Sequence, residues 1–86
     1  PCAPNPARSG SRFRFQVPVE TRVRLAVYDA SGRRVARLFD GKARPGSHTV
    51  TWDGRDEDGR RTARGVYLYR LETGAGSISR KLVVVD

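Results

Sequence analysis

Methionine is absent from this 86-residue chain, cysteine, tryptophan and histidine occur once each, and nine acidic residues stand against seventeen basic ones. Each scarcity excludes something. Without methionine the chain as it stands does not begin at an initiator codon, which implies a processed or excised module of a longer protein. The lone cysteine, Cys2, closes no internal disulfide and belongs to no Cys/His metal set, so cysteine usage leaves the redox compartment open. No apolar run approaches the roughly 18–20 residues of a membrane span, and the first residues lack the charged-then-apolar pattern of a signal peptide.

What is present points to one small domain. A chain of this size buries enough apolar surface for a single core supplying about 3–5 kcal/mol, so a few large side chains must dominate. Trp52, Phe13, Phe15, Phe39, Tyr67 and Tyr69 are the candidate anchors. The net charge of +8 is carried by fifteen arginines and two lysines, Lys42 and Lys81. A field of that sign attracts phosphates, nucleic acids, acidic glycans or anionic headgroups, although codon bias and the solubility of a small β domain are the readier explanations.

Residues 1–11, "PCAPNPARSGS", contain three prolines and no apolar alternation and read as an extended linker; residues 12–86 form the domain. From Arg12 the apolar period becomes two. Phe13, Phe15 and Val17 share one face, opposite Arg12, Arg14 and Gln16, and Val23, Leu25 and Val27 face inward against Arg22, Arg24 and Ala26. Turn chemistry recurs at hairpin spacing in "DASG" (29–32), "ARPG" (43–46), "DEDG" (56–59) and "TGAG" (73–76), with Pro45-Gly46 suited to a type II turn. The segments between read as strands; "GRRVARLF" imitates a short helix only briefly.

Six to seven strands with regular turns predict an all-β, antiparallel β-sandwich of the immunoglobulin or fibronectin-III kind. Its inner layer would take the two apolar sets above, Val50 and Trp52, Tyr67, Tyr69 and Leu71, and Ile78, Leu82 and Val84. Arg70 lies on the parity of Val66 and Leu68, which puts the tyrosine face inside. Val83 and Val85 are apolar on the opposite parity, as a docking surface or a covered strand end.

The sequence offers little to catalysis. Asp53, Asp56, Glu57 and Asp58 suggest a calcium loop, but an EF-hand needs an acidic or amide ligand at its third position and a glutamate at its twelfth, where Arg55 and Arg64 stand. Asp53 and Asp56 suit another task, accepting loop N–H groups, while Gly54, Gly59 and Gly65 take backbone angles other residues resist. Trp52 plugs the core at its strand end, which makes this loop architectural. His48 shares a face with Val50 and Trp52 and has no second histidine or readable triad beside it. No phosphate loop, paired-carboxylate scaffold or metal spacing is present, so no enzyme, cofactor or metal is expected. Specific nucleic-acid binding needs aromatics free to stack, whereas these fall on the inward parity.

In order, "PNP" (4–6), "VRLAVYDASGRRV" (23–35), "GSHTVTWDGRDEDGRR" (46–61), "GVYLYRL" (65–71) and "SRKLVVV" (79–85) give the chain its family likeness. It resembles the immunoglobulin-like domain shared by flagellar hook-capping proteins and the type A C-terminal sorting domains of the type IX secretion system. The resemblance implies that Pro4, Asn5, Pro6, Gly65, Tyr67 and Lys81 take part in recognition. It implies, further, a C-terminal module of a larger secreted protein, recognised by secretion machinery at the cell surface and then cleaved or anchored through anionic lipopolysaccharide. The hook-cap relative implies instead a structural module of an extracellular appendage, paired with neighbouring subunits. The arginine bias departs from the best-known sorting domains.

Overall fold

The computed structural model describes residues 11–85, which form six strands: β1 (Ser11–Val17), β2 (Thr21–Asp29), β3 (Arg34–Ala43), β4 (Gly46–Trp52), β5 (Gly65–Thr73) and β6 (Gly76–Val84). They make two antiparallel sheets, a pair β1-β4 and a four-stranded sheet in the order β3-β2-β5-β6. This is the expected sandwich. The alternation of apolar and charged residues explains why these segments are strands, since a period of two buries one face and wets the other. In β1 the alternation is complete: Phe13, Phe15 and Val17 are buried and Arg12, Arg14 and Gln16 exposed.

The core is the interleaved inner faces. Phe13, Val23, Leu25, Val27 and Tyr69 have no accessible surface, and Trp52 retains 2%. Phe13 of the small sheet meets Tyr69 of the large one edge to face at 5.0 Å, and Trp52 meets Tyr67 the same way at 6.4 Å. These contacts between quadrupoles clamp the layers at two levels.

Four local expectations need correction. Ile78 does not close the core: it is 39% exposed, because the cover over edge strand β6 reaches Leu82 and Val84, which are buried, but not the Gly76 end of the strand. Ala26 lies on the outward parity yet is buried, because long Arg37 and Arg70 stand opposite it on the flanking strands. The Pro45-Gly46 turn is no hairpin, for it carries the chain from β3, paired with β2, across to β4, paired with β1. Phe39 is only half-buried, at the rim on edge strand β3, where the register shifts twice against β2 and leaves Leu38 and Val35 without cross-strand partners.

Candidate recognition surface

Two loops at one end of the sandwich are copies of one design. In "DASGR" (29–33) and "DEDGR" (56–60) the first aspartate holds the turn by itself. The Asp29 Oδ1 accepts the N–H groups of Ser31 (2.9 Å) and Arg33 (3.0 Å), and Asp56 Oδ1 those of Asp58 and Arg60 (both 2.9 Å). Gly32 (φ 89°) and Gly59 (φ 83°) then donate to the carbonyls of Asp29 and Asp56, at 3.0 Å each, from a left-handed conformation that a Cβ would disfavour. The repeat D-x-x-G-R was the readable signal for this equivalence.

The longer loop is anchored at both sides. Trp52 Nε1 donates to the carbonyl of Arg55 at 2.9 Å, so the buried indole also fixes the loop's course. Asp53 Oδ1 accepts Arg55 N–H, and the carbonyl of buried Gly54 accepts both the N–H and the hydroxyl of Thr62. Tyr67 O–H donates back to the carbonyl of Ala63 at 2.6 Å, a tyrosine corner of the kind immunoglobulin folds carry where the chain enters the matching strand. Among the described residues no group of three or more His, Cys, Asp or Glu could hold a metal ion. His48 is half-buried, stacked on Phe15 at 5.3 Å, with Nε2 at 2.7 Å from the carbonyl of Arg44.

The loop also protects a sheet edge. Glu57 N–H donates to the carbonyl of Val35 at 2.9 Å on the outer side of β3, and the Glu57 carboxylate grips Arg34 through two bonds of 2.9 and 3.2 Å. With its two register shifts, β3 is thereby a poor template for another strand. The opposite edge differs. β6 pairs with β5 without interruption from Gly65↔Val84 to Thr73↔Gly76, contains no proline, and has no strand on its other side among the described residues. Exposed aliphatics gather there, with Val83, Val66 and Leu68 on the outer face and Ile78 on the inner parity. β1 also has one unpaired side, but its outward side chains are Arg12, Arg14 and Gln16 and Pro18 follows it.

Of the residues assigned to recognition by resemblance, Pro4, Asn5 and Pro6 lie outside the described residues. Gly65 opens β5 opposite Val84, Tyr67 is committed to the corner, and Lys81 is exposed on β6 opposite Leu68. The structure therefore brings only Lys81 to the open edge. Sequence reading passed over its neighbour Arg80, also exposed, although adjacent cations in a strand signal charge on both faces.

Among the described residues three carboxyls are held below the ordinary carboxylate range. For Asp29 the Ser31 hydroxyl is the chief cause; for Glu57 it is the hydrogen bond from Arg34. At Asp40 desolvation pushes upward but is outweighed by the hydrogen bond from Arg22 at 2.7 Å and by the charges of Arg22, Arg24 and Arg37. Depressed acids contribute stability that is complete above their unfolded values and is lost as pH falls through the folded ones. The urea midpoint should accordingly drop between about pH 5 and about pH 2, with a shallower drop in Glu57→Gln. A midpoint flat over that range would show that these pairs do not act.

The exposed chemistry of the described residues is thus that of an immunoglobulin-like β-sandwich with braced loops and an unpaired β6 edge. The chain belongs to the FlgD Ig-like domain family, whose model matches residues 6–77. It is 41% identical over 62 residues to the basal-body rod modification protein FlgD of Salmonella typhimurium, covering 72% of this chain and 26% of that protein. Among solved structures, dimeric latent PorU from Porphyromonas gingivalis superposes with a TM-score of 0.75 at 26% identity, over 99% of this chain and 9% of that one. FlgD from P. aeruginosa gives 0.65 at 28%, over 86% and 58%. PorZ, described as a surface component of the P. gingivalis type IX secretion system, gives 0.67 at 22% over 100% and 11%, a likeness of fold. The chain spans about a quarter of the length of the curated relatives it matches.

Proposed function

We propose that this domain is a non-enzymatic recognition module of a larger secreted protein, serving secretion sorting and attachment at the cell surface, with other proteins as its partners. The observation that carries the reading is β6: a nine-residue edge strand with no neighbour on its outer side among the described residues, in a sheet whose opposite edge is covered by a braced loop. An open edge offers main-chain donors and acceptors in a row, and adding a strand is the cheapest way for a partner to engage it. The family supports a role in assemblies, and the fold is one that a surface component of the type IX secretion system also carries. Five of the seven aromatics, Phe13, Phe15, Trp52, Tyr67 and Tyr69, are in the core, and the cations are spread over both sheets instead of lining one groove, so neither nucleic acid nor lipopolysaccharide enters this reading.

Joining residues 1–86 to a passenger in a bacterium with type IX secretion tests it. The passenger should become accessible to added protease on intact cells; a passenger retained inside, with the domain folded, overturns the reading. The identity with Salmonella FlgD favours a second reading, an assembly module of a hook-cap-like appendage. That one requires the domain to restore motility when it replaces the matching segment of FlgD.

A further inference from the structure

The chemistry of β6 specifies what can pair with it. Arg80 is the central residue of Gly76–Val84, and Lys81 follows it. Consecutive side chains in a strand point to opposite faces. Arg80 shares the parity of Ile78, Leu82 and Val84 and faces Tyr69 across the β5-β6 ladder, whereas Lys81 shares the outer parity of Ser79 and Val83 and faces Leu68. Both are exposed, and neither has an ion pair among the described residues, whereas Arg22, Arg24 and Arg34 are paired with Asp40 or Glu57. The nearest rows of the outer face add Arg70 and no carboxylate, since Val66, Leu68 and Tyr28 fill them.

This arrangement opposes self-association. Antiparallel pairing of two β6 strands about their midpoint places Arg80 against Arg80, or Arg80 against Lys81 if the register slips by one. Like charges directly opposite destabilise a ladder, and two copies of net charge +8 already repel. Aliphatic residues on either side of the cations nevertheless make the edge adhesive.

Resting on the reading of β6 as the recognised element, we infer that its partner is an extended segment of another protein with two consecutive acidic residues flanked by aliphatic ones. One carboxylate meets Arg80 on the inner side and the other meets Lys81 on the outer side. The flanking aliphatics pack beside Ile78 and Val83, and the main chain of the segment completes the unpaired side of β6.

The test uses the isotope-labelled 86-residue chain and two blocked eight-residue peptides of valine and threonine, one with two central glutamates and one with two central lysines. Amide shifts on addition of the glutamate peptide should concentrate in residues 77–84, with affinity about tenfold above that of the lysine peptide. The double variant R80E/K81E, altered only at exposed positions, should reverse the preference. Equal binding of both peptides along β6 would sink the charge rule while leaving the edge itself as the recognised element. Absence of shifts in β6 with either peptide at millimolar concentration would sink both.

Discussion

Replacing Trp52 with alanine is expected to cost about 3–5 kcal/mol, the usual consequence of emptying a large buried aromatic site. A single core of this size supplies about as much in total, so the variant should be largely unfolded at room temperature. The indole contributes in three ways. It fills the space under the loop end of both sheets, it meets Tyr67 edge to face, and its N–H fixes the carbonyl of Arg55. Removing it therefore also releases the loop that covers β3 through Glu57. Chemical denaturation monitored by circular dichroism checks this; a variant melting within a degree or two of the parent would mean that the core does not depend on this ring.

Ending the chain after Ser79 should have a comparable effect. The cut removes Leu82 and Val84, which retain 3% and 4% of their surface, together with half of the ladder that β6 makes with β5. Burial of each such side chain contributes about 1.5–3 kcal/mol, so losing both approaches the whole stability of the domain. The truncated chain should show no cooperative unfolding transition. Failure of a truncated fusion to reach the surface would then report unfolding, not lost recognition. Charge changes at Arg80 and Lys81 separate the two, because those side chains lie outside the core. A truncated chain that unfolds cooperatively near the parent's temperature would show that β6 is dispensable for folding.

The inward set of β1 was legible in the sequence because alternation there is strict, and in β2 and β5 because the other face would bury Arg22, Arg24 or Arg70. The acidic loop was legible in part. Its glycines and aspartates announced turns, and the repeated D-x-x-G-R carried, unread, the equivalence of the turns headed by Asp29 and Asp56, but nothing local told that Glu57 crosses to β3. Ile78 shows where parity fails as a guide. It lies on the inward side of its strand, yet burial needs a second layer overhead, and that layer covers Leu82 and Val84 but not the Ile78 end of β6. Arg80 was missed for the related reason that an inward cation makes sense only where the inner face is uncovered, as it is in the half of β6 before Leu82.

By itself, then, the sequence determined the class of the molecule: period-two alternation with recurrent turn residues leaves a twisted antiparallel sandwich as the way to bury those rings. Tertiary structure alone decided which edges are open. Hydrogen-bond pairing between strands distant in the chain is not written in local composition, since every strand has two sides and nothing in its own residues says which side will be used. Placement of β3 and β6 at the two ends of one sheet, with a loop folded over the first, left β6 as the edge without a neighbour among the described residues, the feature on which the proposed recognition rests.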